Sequence, residues 1–207
     1  MKFKNVILAL SFGSFLALPT AMAQWFDFTE DEGFTFTEEE IQAAIQKVGK
    51  EIDASFDGRP ILLVSILKGA FVFMADLCRA ITVPCEIGFM CAKSYYSGTE
   101  SSGVVKITMD LDQDISKYHV IIVEDIIDTG RTLNDVVKML KLRNPLSLKV
   151  VTLLDKPSRR LVDFKADVSL FTIPDHFVIG YGLDCGEAYR SLRYIAEYGV
   201  WYVEQII

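Results

Sequence analysis

The feature that most constrains this chain is a strand, a polar turn and a helix written consecutively between His119 and Leu142. His119 to Val123 is an apolar run suited to a buried strand, and Glu124 to Thr132 is polar and contains Gly130. From Leu133 to Leu142 the residues Val136, Val137 and Leu140 fall on one inward helical face. Upstream, Ile61 to Ile66 reads as another buried strand, Ala70 to Arg79 as a helix, and Cys85 to Ala92 and Val104 to Met109 as strands. Downstream, strands are expected over Leu148 to Leu154, Val168 to Ile173 and Val178 to Tyr181, with a turn at Lys156-Pro157. Phe34 to Phe36 resembles a short strand, and Thr37 with Glu40 forms a capping box ahead of the helical stripe Ile41, Ile45, Val48 and Ile52. Ser94 to Gly103 reads as a polar, mobile loop. Alternating strands and helices predict a three-layer α/β fold around a mainly parallel sheet.

A chain of 207 residues, 51% hydrophobic, can bury one substantial core and is short for two catalytic domains. Its first 23 residues differ in kind. Lys2 and Lys4 precede an apolar run from Val6 to Leu18, and Ala21-Met22-Ala23 before Gln24 has the form of a cleavage site. This segment is read as signal-like, or else as a non-native or misassigned start, ahead of a single domain over residues 24–207. Ser11, Gly13 and Ser14 interrupt a run already short for a membrane span, so stable membrane anchoring is not expected. Lys and Arg number 21 against 28 Asp and Glu; without Lys2 and Lys4 the cations number 19, a net of about −9. Such an acidic body is a poor nonspecific nucleic-acid binder, and any phosphate it handles must meet backbone amides, a few placed cations or a metal ion. Cys78, Cys85, Cys91 and Cys185 lack metal-ligand spacing, which argues against a structural zinc. Their even number is compatible with disulfides in an exported chain, but sequence cannot pair them.

Ligands of open parallel sheets bind beyond the carboxyl ends of the strands. Four expected strand ends carry chemistry: Lys68-Gly69, Glu124 to Thr132, Lys156, and Asp175 to Asp184. In the second, the amides and hydroxyls of Thr129, Gly130, Arg131 and Thr132 can surround a phosphate at a helix N-terminus. Glu124 and Asp125 suit vicinal ribose hydroxyls or hydrated magnesium, and Asp128 lies in the same pocket as a proton acceptor. An isolated D-T-G-x-T reads equally as acids capping a helix and facing water. Two further acids directly behind a buried strand favour binding.

The stretch Val120 to Leu133, VIIVEDIIDTGRTL, resembles the phosphoribosyl pyrophosphate signature of type I phosphoribosyltransferases, in wording similar to the hypoxanthine-guanine branch. Leu67-Lys68-Gly69 resembles that family's pyrophosphate-binding turn. Ser94-Tyr95 with Ser101 to Lys106 resembles its flexible active-site loop, expected over about 94–105. Leu154 to Pro157 resembles its base-recognition segment, and Ile173 to Asp184 its hood segment. The likeness runs from about Phe34 to Val203. It implies a three-layer fold with a small hood built from the N-terminal part and residues 170–207.

The resemblance also implies a reaction. The 5-phosphoribosyl group passes from phosphoribosyl pyrophosphate to hypoxanthine or guanine, giving IMP or GMP and pyrophosphate, a purine-salvage reaction that depends on Mg2+. By this likeness Glu124 and Asp125 hold the ribose hydroxyls, and Asp128 to Thr132 the 5'-phosphate. Asp128 accepts or stabilises the proton on the purine N7 as N9 attacks. Lys68, Gly69 and Arg190 face the pyrophosphate, with a strained or cis peptide common at the Lys68 turn. Asp184, with Glu124 and Asp125, lies toward magnesium. Lys156 donates to the 6-oxo group and mismatches the amino group of adenine. Phe177 stacks on the base, the Val178 carbonyl accepts from N1 or the 2-amino group, and Ile126 gives an apolar floor. Tyr95, with Ser94, closes over the reaction centre and excludes water.

Cys185 and Gly186 depart from the pattern, where an aromatic and a larger residue are frequent, and His176 occupies a variable place. These positions bear on the ranking of hypoxanthine, guanine and xanthine. The family analogy implies a cytoplasmic homodimer or homotetramer, whereas the signal-like start argues for export. Two other readings compete: a noncatalytic nucleotide-sensing regulator on the same fold, and an exported nucleotide-binding or structural protein.

Overall fold

The computed structural model describes residues 35–56, 59–94 and 105–198. The signal-like segment 1–23, Phe34, Tyr95, the rest of the expected loop to Val104, and the hood residues beyond Tyr198 lie outside them. In chain order the elements are β1 Thr35–Phe36, α1 Glu38–Phe56, β2 Ile61–Ile66, α2 Phe71–Ala80, β3 Cys85–Ser94, β4 Val105–Met109 and β5 His119–Ile127. There follow α2's counterpart α3 Arg131–Lys141, then β6 Ser147–Asp155, β7 Val168–Thr172, β8 Val178–Ile179 and β9 Ile195–Glu197. Six strands form one sheet in the order β4-β3-β2-β5-β6-β7, parallel except for the antiparallel edge strand β4.

Burial explains why the central strands read as apolar runs without alternation. On β2, Ile61 and Leu63 pack into one core with Ile41, Ile45 and Val48 of α1 and Phe73 and Leu77 of α2. The alternate residues Leu62, Val64 and Ile66 pack into a second core with Leu133, Val136, Val137 and Leu140 of α3. On β5, Ile121 and Val123 join the first core while Val120 and Ile122 join the second. Both faces of the strand are covered, which produces the three layers. Each such side chain contributes about 1.5–3 kcal/mol by leaving water. The capping box forms as expected: the Glu40 amide donates to Thr37 Oγ1 at 3.2 Å, and the Thr37 amide donates to Glu40 Oε2 at 2.9 Å.

Two features differ from the expectation. β5 does not end at Val123. Its ladder with β2 stops at Val123↔Ser65, but β6 continues to pair with it through Glu124↔Thr152, Ile126↔Leu154 and Ile127↔Asp155. Polar residues therefore remain in strand because a longer neighbour satisfies their backbone. The second difference is β9, absent from the sequence reading, which pairs antiparallel with both β1 and β8 to make a small three-stranded sheet. The four cysteines are free. Among the described residues no helix is long and apolar enough to cross a membrane.

Candidate active site

The overhang of β5 beyond β2 carries the first two candidate residues. Glu124 Oε2 is buried without a hydrogen-bond partner. Burial, and then the neighbouring Asp125 charge, push the Glu124 carboxyl well above its ordinary range. Burial likewise lifts Asp125 to about 6. The amides of Ile126 and Asp125 itself and the charge of Arg190 oppose that shift, while Asp184 adds to it. The turn after β2 presses against this carboxylate: a Cβ on Gly69 would lie 1.6 Å from Asp125 Oδ2. Only glycine permits that approach. The preceding Leu67–Lys68 peptide is cis.

Beyond Ile127 the chain turns into α3. Gly130, at φ 77°, is the residue before the helix, and its carbonyl accepts from the Asn134 amide at 2.9 Å. The Arg131 amide meets Thr129 Oγ1 at 3.4 Å. No acidic side chain lies in the first turn of the helix that Arg131 and Thr132 begin, and its N-terminus is the positive end of the helix dipole. Asp128 projects beside it and is held by a residue the sequence reading missed. Arg159 Nε donates to Asp128 Oδ1 at 2.9 Å and Nη2 to Oδ2 at 3.4 Å, while Nη1 reaches Asp175 Oδ2 at 3.3 Å. Arg160, also missed, donates from Nη1 to the Asp128 carbonyl at 2.5 Å and pairs through Nη2 with Asp155. Two arginines after a strand-end Lys-Pro were the available signal, but only the adjacency of β5, β6 and β7 supplies their partners.

Lys156 follows β6 and is buried, with 7% of its surface exposed. Its amide donates to the Ile127 carbonyl at 3.0 Å, and its Nζ stands 4.0 Å from Asp175 Oδ1. Phe177 is exposed and meets Tyr198 edge-on at 5.9 Å, while Val178 is buried in β8. Ile126 is partly buried against the first core. The segment around Phe177 is tied to β9: the Tyr198 amide donates to the Phe177 carbonyl at 2.7 Å, and His176 Nδ1 meets Glu197 Oε1 at 2.5 Å.

The return from Gly180 to Arg190 closes the other side. Gly182, at φ 98°, packs so tightly that a Cβ there would lie 2.1 Å from the Gly69 carbonyl oxygen. Arg190 donates to the Gly182 carbonyl at 2.8 Å and pairs with Asp184 at 2.8 Å and Glu187 at 3.2 Å. Its Nε is buried without a partner. Lys68 Nζ meets Glu187 Oε1 at 3.0 Å and Oε2 at 3.1 Å. These contacts hold the Glu187 carboxyl below the usual range, the Lys68 hydrogen bond most strongly and Arg190 next. A cleft of about 480 Å³ is lined by Arg190 together with residues of α1, α2 and Ser191 to Arg193. Of the candidate residues it borders Arg190 alone.

One chain of contacts thus joins the candidates. Lys156 neighbours Asp175, Arg159 joins Asp175 to Asp128, Asp125 abuts Gly69, Gly69 abuts Gly182, and Lys68 reaches Arg190 and Asp184 through Glu187. Ser94 ends β3, where its backbone pairs with Val105. Among the described residues no group of three or more acidic, histidine or cysteine side chains could hold a metal ion unaided. Asp184 is engaged by Arg190 and the Glu187 amide. The buried, unpartnered Glu124 oxygen and its neighbour Asp125 fit an ion that brings its own oxygen ligands, as magnesium does when it arrives with phosphates.

A mainly parallel sheet with a glycine turn into a helix and paired acids at one strand end is the site, and the family described as "Phosphoribosyl transferase domain" matches residues 37–185. The hypoxanthine phosphoribosyltransferase of Salmonella typhimurium is 50% identical over 162 residues, covering 77% of this chain and 91% of that protein. The hypoxanthine-guanine phosphoribosyltransferase of Streptococcus pneumoniae is 49% identical over 157 residues, covering 76% and 87%. Among solved structures, the Trypanosoma cruzi hypoxanthine phosphoribosyl transferase, whose C-terminal region has a role in oligomeric state and enzymatic activity, superposes with a TM-score of 0.80 at 43% identity. That superposition covers 88% of this chain and 98% of the other. The chain belongs to the hypoxanthine (hypoxanthine-guanine) phosphoribosyltransferase family.

Proposed function

We propose that this chain transfers the 5-phosphoribosyl group from phosphoribosyl pyrophosphate to hypoxanthine, and to guanine, releasing IMP or GMP and pyrophosphate in purine salvage. The observation that carries the reading is the pairing, at neighbouring strand ends, of a buried acceptor without a partner with a buried cation. Glu124 Oε2 on β5 calls for a donor such as a ribose hydroxyl, and Lys156 after β6 calls for an acceptor such as a 6-oxo group.

The residues divide the reaction between them. Thr129, Gly130, Arg131 and Thr132 hold the 5'-phosphate, and binding energy from that remote group orients C1. Glu124 and Asp125 hold the ribose hydroxyls. As the bond from C1 to pyrophosphate breaks and the bond to N9 forms, Asp128 receives or stabilises the proton at N7. Lys156 fixes the 6-oxo group, Phe177 covers the ring, Val178 accepts through its carbonyl, and Ile126 floors the pocket. Lys68, Gly69 and Arg190 receive the pyrophosphate. Asp184, Glu124 and Asp125 are the side chains that would face Mg2+ arriving with the donor, and the ion would supply positive charge to the pyrophosphate oxygens. Ser94 and Tyr95 shield the centre from water.

In this reading the body from residue 24 is one domain, with the β1-β9-β8 sheet as its hood. The chain self-associates as a dimer or tetramer, a proposal supported by the role of the C-terminal region in the oligomeric state of the Trypanosoma cruzi relative. It works in the cytoplasm, where the donor and magnesium are available. The test supplies the purified protein with Mg2+, phosphoribosyl pyrophosphate and, in parallel, hypoxanthine, guanine, xanthine and adenine. Nucleotide should form rapidly from hypoxanthine and guanine and far more slowly from adenine. A folded protein that binds the donor yet makes no nucleotide from any base would overturn the reading in favour of a nucleotide-sensing regulator.

A further inference from the structure

Glu187 has no part in the reaction just described, yet its carboxylate holds both cations assigned to the departing pyrophosphate. One oxygen lies 3.0 Å from Lys68 Nζ; the other lies 3.1 Å from the same nitrogen and 3.2 Å from Arg190 Nη2. The Glu187 amide donates to Asp184 at 2.9 Å, and the residue stands at φ 69°, so a tight turn delivers the carboxylate to the cations. Two cations converging on one carboxylate is the arrangement that would equally receive a phosphate oxygen.

We propose that Glu187 is an internal anion that occupies the pyrophosphate subsite in the ligand-free protein and is displaced when a pyrophosphate group enters. The inference rests on the assignment of Lys68 and Arg190 to that group. Displacement is easy because the Lys68 and Glu187 side chains are 66% and 65% exposed, and a solvated ion pair of this kind is weak. Competition nevertheless multiplies the intrinsic affinity by the fraction of molecules in which the cations are free, and so lowers it. Glu187 therefore sets the affinity for the donor and for product pyrophosphate, while leaving the base pocket alone.

The experiment titrates inorganic pyrophosphate, with and without Mg2+, into the protein and into E187Q by calorimetry, and measures KM for donor and for hypoxanthine. Glutamine keeps the size of the side chain and removes its charge. E187Q should bind pyrophosphate about two- to fivefold more tightly, with a parallel fall in donor KM and no change in hypoxanthine KM. In a K68A background that gain should shrink. Unchanged or weaker binding by E187Q, with K68A and R190A both weakened, would sink the internal-anion role alone. Parental pyrophosphate affinity in both K68A and R190A would sink the subsite assignment beneath it.

Discussion

The unit that runs from the end of β5 into α3, through Asp125, and the return from Gly180 to Arg190, through Gly182, both press on Gly69, and they keep their shapes by different means. The first is local. Its backbone runs in ladder with β6 to Ile127, takes one left-handed residue at Gly130, and enters a helix immediately. The second has left-handed backbone at Gly180, Tyr181, Gly182, Gly186, Glu187 and Tyr189, three of which carry side chains that disfavour it. Such residues cost of order 1–3 kcal/mol each and persist only where their surroundings fix them. Here the Tyr181 amide donates to Leu192 and the Gly182 amide to Arg190, both at 2.9 Å, and the Tyr181 hydroxyl donates to Asp76 of α2. The cradle, tied by Arg160 to the Asp128 carbonyl and by the Leu161 amide to the Thr129 carbonyl, should answer to changes in the segment after β6, whereas the return should transmit damage to the anion side through Gly69.

Four substitutions sharpen or break this contrast. The largest effect is expected for D128N in the local turn, where kcat should fall by about 10²- to 10⁴-fold with donor KM little changed; a parental single-turnover rate would remove Asp128 from proton handling. Next is G182A in the return. Strain at φ 98° and overlap with the Gly69 carbonyl should cost about 2–4 kcal/mol in denaturant unfolding and raise donor KM, although Gly182 touches no substrate. Unchanged stability and KM would show that the return does not transmit to the turn. K156A should lower kcat/KM for hypoxanthine by about tenfold to a hundredfold and narrow the preference over adenine, as expected for loss of a charged hydrogen bond. Unaltered base preference in that variant would dismiss it as the selector. The smallest is H176A, which releases the tie from the base segment to Glu197. Hypoxanthine KM should rise about two- to threefold with donor KM constant, and parallel changes in both constants would mean that the tie merely supports the fold.

Legibility followed the same division. The buried strands, the α1 stripe with its capping box and the cradle at Thr129 to Thr132 could be read because each depends on neighbours close in the chain. The continuation of β5 to Ile127 could not, since Glu124 and Asp125 look like loop residues until β6 is known to extend beside them. Nor could β9, three residues long, whose pairing partners come from opposite ends of the domain. Arg159, Arg160 and Glu187 escaped notice for a related reason. Charged residues in turns read as solvated surface; Asp128 and Lys68, the partners of Arg159 and Glu187, belong to other strand ends, while Asp155 meets Arg160 from the end of β6 itself.

Sequence by itself determined the layer order, the strands buried on both faces and the composition of the phosphate cradle, because hydrophobic spacing and a strand-glycine-helix turn act over a few residues. Tertiary structure alone decided which charges face one another. Ion pairs between Arg159 and Asp128, or between Lys68 and Glu187, depend on which strand ends the parallel sheet sets side by side and how tightly glycine backbones let its turns approach. Nothing in the spacing of those residues along the chain encodes that proximity.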